Sequence, residues 1–210
     1  MRDYFSVFSS FRAWLYEALQ TLIGANKGRS LLAQQFSISS YTSVLDLGCG
    51  TGMLPGYLSA KATYLGVDLC PNRIALARKR WPCHDFLVAD VTDLESHVDQ
   101  PFQLVLAVGL LHHLDDFKVE RMLKSISAIL APDGKVLLVD PVLYSGQSLF
   151  SRLLCSLDAG NWVRSIEGYR QAIPDSFLVL SQDVRNDLLR IPQSLQVMEL
   201  ALHRGAVLDV

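Results

Sequence analysis

The stretch Val44-Leu45-Asp46-Leu47-Gly48-Cys49-Gly50-Thr51-Gly52 constrains this chain most. It is a short apolar run that ends in glycines at every second position. Glycine adopts positive φ and lets the main chain approach a ligand without a Cβ in the way. A strand that runs into such a turn marks a place where backbone meets a small molecule. A helix predicted to follow the turn would present free backbone N–H groups at its start.

This run is the first of a series. Short apolar runs recur at 43–47, 63–67, 85–88, 102–107 and 135–140, with helix-like segments between them. The clearest helix covers 116–130, where Val119, Met122, Leu123, Ile126, Ile129 and Leu130 form one stripe and Pro132-Asp133-Gly134 is the predicted stop. Runs apolar on both faces suit parallel strands covered by helices. Their alternation with helices predicts a doubly wound α/β fold with helices on both faces. Two later runs, 177–185 and 195–203, lie close together and read as a hairpin-like edge. Upstream, Phe5, Phe8, Phe11, Leu15, Leu19 and Leu22 give one apolar helix face, Asn26-Lys27-Gly28 breaks the pattern, and a shorter helix is predicted over 29–36. The organisation expected is one domain over 1–210. It comprises an N-terminal helical lid (1–40), a core (41–140), a cap after the fifth strand (141–176) and a C-terminal hairpin (177–210).

Composition narrows the partners. With 19 basic and 21 acidic residues mixed along the chain and a net charge of -2, there is no basic stripe, and no nucleic-acid partner is expected. Cys49, Cys70, Cys83 and Cys155 are irregularly spaced without a CxxC pair, which argues for thiols in a reducing cytoplasm and against structural zinc or disulfides. No metal is expected. Asp3, Arg12 and Glu17 interrupt the apolar N-terminus, so an amphipathic helix is expected there rather than a signal or a membrane span. Contact with a membrane surface stays open.

Carboxylates recur at the strand ends. Asp46 precedes the first glycine. Asp68 follows Tyr64-Leu65-Gly66-Val67, where it can accept hydrogen bonds from both ribose hydroxyls of an adenosine. Asp90 closes the third strand, where it can accept from an adenine amino group while the Val91 N–H donates to a ring nitrogen. Any one of these aspartates could instead cap a helix; the ordered set reads as a nucleoside site. A nicotinamide-binding turn would carry a glycine at position 53, where this chain has Met53, and would leave Asp90 unexplained.

The ordered motifs VLDLGCGTG, YLGVDLCP, FLVADVTDL, FQLVLAVGLLHHL and LAPDGKVLLVD, spanning roughly 40–140, resemble those of class I, Rossmann-like S-adenosylmethionine-dependent methyltransferases. They are close to the branch that contains ubiquinone and menaquinone biosynthesis enzymes. The resemblance implies a seven-stranded, mostly parallel sheet whose last strand is antiparallel. It implies that Gly48, Gly50 and Gly52, with Cys49 among them, lie against the methionine moiety. Asp68, followed by Leu69, is implied as the ribose ligand, and Asp90 with Val91 as the adenine site. The backbone at Val108 and Gly109 is implied to meet the methionine amino group, with Asp46 nearby. S-adenosylmethionine is the cofactor implied, S-adenosylhomocysteine its product.

Methyl transfer from a sulfonium needs alignment and exclusion of water above all. A general base helps when the acceptor must lose a proton. His112 and His113 follow the fourth strand, and either could act as base or serve a structural role; His113 is the catalytic candidate. In the cap, Tyr144, Arg164 and Tyr169 are candidate substrate contacts, with Asp158 beside them, and Arg164 is suited to a carboxylate or phosphate. Each could equally be a surface charge or a packed aromatic. Trp14, Trp81 and Trp162 are expected in the core. The activity expected is methyl transfer to a small, fairly apolar metabolite or lipid-like acceptor, on oxygen, nitrogen or carbon. A non-catalytic binding protein of the same fold is the alternative, with an NAD-dependent oxidoreductase behind it.

Overall fold

A computed structural model of the chain describes residues 22–157 and 160–203. The predicted N-terminal stripe from Phe5 to Leu19, Trp14 and Asp158 lie outside the described residues. The strands are β1 (Ser43–Leu47), β2 (Thr63–Asp68), β3 (Asp85–Val88), β4 (Phe102–Val108), β5 (Leu130–Leu143), β6 (Arg164–Ser165), β7 (Phe177–Arg185) and β8 (Leu195–Leu202). The helices are α1 (Ala25–Gln35), α2 (Pro71–Arg80), α3 (Asp116–Ile129), α4 (Leu149–Leu157) and α5 (Ile166–Gln171).

The sheet runs β3-β2-β1-β4-β5-β8-β7, with the two-residue β6 paired to the end of β5. The first five strands of that order are parallel, and β8 is antiparallel to both β5 and β7. This is the doubly wound arrangement with a reversed last strand that the runs and the resemblance imply. Val44, Leu45 and Leu47 of β1 are fully buried because both faces of the sheet are covered. One face packs Leu45, Leu47, Val105 and Leu138 on the α3 stripe of Val119, Met122, Leu123 and Ile126. The other packs Val44, Leu104, Leu106 and Val139 with Leu32 of α1 and Ile74 and Ala77 of α2. Each such aliphatic side chain contributes roughly 1.5–3 kcal/mol by leaving water.

The structure corrects the reading in several places. Asn26-Lys27-Gly28 does not interrupt the chain but opens α1. Gly28 is there because a Cβ would lie 2.5 Å from the Leu188 carbonyl oxygen, where the helix meets the β7–β8 loop. No α-helix follows the glycine turn; only a 3₁₀ turn forms over Pro55–Tyr57. Pro55 lacks the N–H that a longer helix would need, and Gly56 adds backbone entropy. Pro132-Asp133-Gly134 is not what stops α3. The helix ends at Ile129 and β5 begins at once with Leu130 in extended conformation. The proline and glycine instead lie in a bulge, since Phe102 pairs with Leu130 but Leu104 pairs with Lys135. At its far end β5 continues to Leu143, because β6 gives Val142 and Leu143 partners in Arg164 and Ser165.

Candidate functional site

Parallel β1, β2, β3, β4 and β5 end at one edge, and the predicted cofactor residues gather there. Gly48, Gly50 and Gly52 have φ of 69°, 57° and 72°, a backbone that other residues adopt only under strain. The Gly48 and Cys49 N–H groups donate to the Val67 carbonyl at 2.8 and 3.0 Å, tying the turn to β2. The Gly50 N–H donates to Asp68 Oδ2 at 3.0 Å. A Cβ on Gly50 would meet nothing within 4 Å, so the turn opens outward at that residue. Without a following helix, the turn's last carbonyls are held by side chains from the end of α2. Arg80 Nη1 donates to Thr51 O at 3.0 Å, and Trp81 Nε1 donates to Gly52 O at 2.7 Å.

Asp68 is buried, and its Oδ1 accepts from the Cys70 N–H at 2.8 Å, with Arg73 Nη1 3.7 Å from Oδ2. Each carboxylate oxygen accepts one backbone bond and keeps a second lone-pair direction. Leu69 beside it is 70% exposed, an apolar side chain held out at the strand ends. Asp90 is exposed, and its Oδ1 accepts from the Thr92 N–H and hydroxyl, both at 2.9 Å. Those bonds, the backbone one foremost, hold its pKa below the usual carboxylate value. Val91 is buried behind it. Gly109, with φ 67°, ends β4 and donates to Val139 O at 2.7 Å.

Asp46 is buried and accepts from the Tyr64 hydroxyl at 2.8 Å. Burial pushes its pKa up to about 7, while the Tyr64 bond and the Arg29 charge pull it back down. Burial, with the neighbouring Asp46 and Asp68 charges, likewise pushes the Cys49 thiol up, leaving it protonated. Among the described residues no three His, Cys, Asp or Glu side chains cluster to hold a metal ion.

Beyond β4 the chain makes a 3₁₀ turn, Leu111–His113. His113 is exposed, and its ring centroid lies 4.0 Å from that of His112. His112 is buried, and its Nδ1 lies 2.7 Å from Asp140 Oδ1, which also accepts the His112 backbone N–H at 3.1 Å. Arg164 donates through Nε and Nη2 to Asp116 Oδ1 at 2.9 and 2.7 Å. Its Nη1 reaches Leu111 O and Trp162 O at 3.0 and 3.1 Å, and its Nη2 also reaches Leu114 O at 2.7 Å. The guanidinium thus ties the post-β4 turn to the cap. Tyr169 is buried and donates to Pro141 O at 2.9 Å, while Tyr144 is half-buried against the same core. Trp162, expected in the core, is 47% exposed.

Tyr64, Arg80 and Asp140 lie at the candidate site without having been singled out in the sequence, and Trp81, expected only in the core, also bonds the glycine turn. Asp140 carried a signal, since it closes the fifth apolar run of the sequence, 135–140, as Asp68 follows the second. The Arg80 and Trp81 bonds had none, because they depend on where α2 ends in space.

A nucleoside cofactor with a methionine tail fits these residues: an outward-opening glycine turn, a buried carboxylate with lone pairs to spare, and an exposed leucine next to that carboxylate. Residues 44–134 match the methyltransferase domain family. An uncharacterised methyltransferase of Synechocystis is 27% identical over 146 residues, covering 67% of this chain and 68% of that one. The chain spans 42%, 23% and 28% of three other curated relatives, so it corresponds to part of their length. The fold is similar to that of the mitomycin 7-O-methyltransferase, with a TM-score of 0.70 at 17% identity over 86% of this chain and 54% of that one. It is also similar to an S-adenosylmethionine-dependent methyltransferase of Clostridium acetobutylicum, with a TM-score of 0.68 at 12% identity over 93% and 99% of the two chains. These likenesses do not single out the ubiquinone and menaquinone branch. Residues 44–134 are thus similar in sequence to methyltransferase domains, and the chain shares its fold with class I, Rossmann-like methyltransferases that depend on S-adenosylmethionine.

Proposed function

We propose that this chain transfers a methyl group from S-adenosylmethionine to a small, fairly apolar metabolite or lipid-like acceptor. The observation that carries the proposal is Asp68. It is buried at the end of β2, with each oxygen fixed by one backbone N–H, directly below a glycine turn open to the outside. The cofactor supplies a methyl group already activated by its sulfonium. Asp68 takes the ribose hydroxyls with Leu69 against the base, and Asp90 with the Val91 N–H reads the adenine edge. The glycine turn and the Gly109 backbone line the methionine tail, whose amino group faces Asp46. These residues orient the methyl group; placement of two reactants in a near-attack geometry is itself worth about 7–11 kcal/mol of barrier.

The acceptor side is the cap, residues 141–176, together with the lid assigned to 1–40. Leu149, Phe150, Leu153 and Trp162 are apolar and exposed there, which suits an apolar acceptor. The net charge of -2 offers no attraction to a phosphate backbone. Among the described residues no helix is long and apolar enough to cross a membrane, and none of the four cysteines is in a disulfide. Calorimetry of chelator-treated protein tests this reading. S-adenosylmethionine and S-adenosylhomocysteine are expected to bind at micromolar concentration without added metal, and failure of both to bind overturns it.

A further inference from the structure

We propose that the apolar N-terminal stretch, residues 4–19, docks as an amphipathic helix on the outward face of α4 in the same chain. The docking follows from the fold, and its consequence for turnover rests on the methyl-transfer reading above.

α4 (Leu149–Leu157) is inside out. Its outward face shows Leu149, Phe150 and Leu153 at 86%, 51% and 51% exposure. The first and third are four residues apart and share one side of the helix, with Phe150 next to them. The inward face is polar. Ser151 and Cys155 are buried at 1% and 5% exposure, and Gln147 Nε2 donates to Ser151 Oγ at 2.7 Å and to the Val142 carbonyl at 2.9 Å. A helix that only covered the sheet would turn its apolar side inward and its polar side to water. Here the polar side is taken up by bonds to the end of β5 and the β7–β8 loop, and the apolar side is left uncovered. Three large apolar side chains side by side mark a contact surface, unlike a single exposed leucine.

The course of the chain names the occupant. The described residues begin at Leu22, which is 75% exposed. The next residue is fixed, because the Ile23 carbonyl accepts the Arg190 N–H at 2.7 Å. Arg190 lies in the β7–β8 loop, four residues before Ser194, whose N–H donates to Ser151 Oγ of α4 at 3.0 Å. Four residues span at most about 14 Å, so the N-terminal stretch joins the fold within reach of α4. A helix over residues 4–19 would be about 24 Å long, whereas the nine residues of α4 span about 14 Å, so it can cross the whole face. Along it Phe5, Phe8, Phe11, Leu15 and Leu19 recur at steps of three and four residues, the stripe that such a face would bury.

The other end of the chain does not fit. The seven residues after His203 start at the opposite edge of the sheet, since Leu202 pairs with Phe177 whereas Leu195, at the α4 end of β8, pairs with Pro141. Fully extended they reach about 25 Å, no more than the length of the eight-residue β8 they would have to retrace. The N-terminal stretch docked on α4 lies over the edge where β5 ends and the cofactor site is proposed. Neither element supplies a reacting group; together they close the acceptor side to water.

Hydrogen exchange of the full chain, read by mass spectrometry, tests the docking. The double variant Leu149→Asp, Leu153→Asp changes only side chains that are exposed in the described structure, so exchange in β1 and β4 is expected to stay as in wild type. Amides of residues 4–19 are expected to be protected in wild type and to exchange at least about tenfold faster in the variant. The reciprocal variant Phe8→Asp, Phe11→Asp should speed exchange in residues 149–157 in the same way. Unprotected amides over 4–19 in wild type, or protection there that the α4 variant leaves unmoved, would overturn the proposal. Two companion measurements name the occupant in that event. A dimer by light scattering that the α4 variant dissolves would assign the face to a second copy. Flotation with phosphatidylglycerol vesicles that the variant abolishes would assign it to a bilayer. Calorimetry with S-adenosylmethionine keeps the two readings apart: both variants should bind within twofold of wild type, and a wild type that binds no cofactor would sink the methyltransferase reading while the exchange result still decided the docking.

Discussion

Tyr64 donates a 2.8 Å hydrogen bond to Oδ2 of Asp46 between the adjacent strands β1 and β2, inside a sheet covered on both faces. The carboxyl it serves is pushed from 3.8 up to about 7, by burial first of all. Between those two values the folded chain holds a proton that the unfolded chain has lost. Stability from this group is therefore fully present below pH ~4 and is lost as pH rises toward 7, at a cost of order 4 kcal/mol. Asp46→Asn carries no charge at any pH and escapes that cost. The variant is expected to melt above wild type at pH 8 and to converge with it near pH 4. An identical difference at both values would show that Asp46 is ionised throughout.

The same proton couples to the cofactor. A cationic amino group placed beside Asp46 favours the ionised carboxylate, so binding should expel the proton. The affinity of wild type for S-adenosylmethionine is expected to rise between pH 6 and 8, and calorimetry in buffers of different ionisation enthalpy should register proton release. Asp46→Asn should bind several-fold more weakly at pH 8 and lose the pH dependence.

Trp81 and Arg80 do for the glycine turn what a following helix would otherwise do, by taking the Gly52 and Thr51 carbonyls. Trp81→Phe keeps an aromatic ring but removes the 2.7 Å bond to the backbone of the glycine turn, where the cofactor site is proposed. Loss of one such bond costs about 1 kcal/mol. The variant should bind S-adenosylmethionine roughly fivefold more weakly, with its melting temperature lowered by only a few degrees. An unchanged affinity would mean that the turn holds its shape without the indole.

Asp68 and Asp90 should not be equivalent. In the proposed site Asp68→Ala would take a charged acceptor from two ribose hydroxyls, and it frees the Gly50 and Cys70 N–H groups that Asp68 now holds. Bonds to charged groups are worth about 1.5–3 kcal/mol each. In the same proposal Asp90 would offer the adenine one bond, and the Val91 N–H remains after Asp90→Ala. Calorimetry is expected to show a loss of 100-fold or more for Asp68→Ala and 10-fold or less for Asp90→Ala. The reverse order would place the ribose elsewhere.

The strands were legible because each contains a short run of apolar residues; β1, β3 and β7 begin and end where the runs do. Asp46, Asp68 and Asp90 were legible for the same reason, as carboxylates at or next to the ends of neighbouring parallel strands. What escaped depends on contacts between distant residues. The glycine at 28 looks like a helix breaker until the Leu188 carbonyl is seen 2.5 Å from where its Cβ would be. Pro132-Asp133-Gly134 looks like a turn, yet the pairing of Leu130 with Phe102 draws the chain straight from helix to strand. His112 and His113 are indistinguishable in sequence, and only the fold brings Asp140 to His112 and leaves His113 at the surface.

Arg164 joins the site to the cap through five hydrogen bonds, three to the backbone carbonyls of Leu111, Leu114 and Trp162 and two to Asp116 Oδ1. Its side chain is 9% exposed, whereas Asp116 is 79% exposed, so the ion pair with Asp116 is partly screened and the carbonyl bonds matter more. The Leu111 and Leu114 carbonyls bracket the Leu111–His113 turn that carries His112. A lysine has the charge but not the planar fork, and cannot reach several acceptors at once. Arg164→Lys is therefore expected to lose most of the stabilisation that Arg164→Ala loses, about 2–3 kcal/mol by chemical denaturation. Because the turn lies beyond the cofactor edge, S-adenosylmethionine affinity should change less than twofold in the lysine variant, while the cap–turn segment exchanges its amide hydrogens faster. If lysine restored wild-type stability and protection, charge pairing with Asp116 rather than the carbonyl fork would be what holds the cap to the turn.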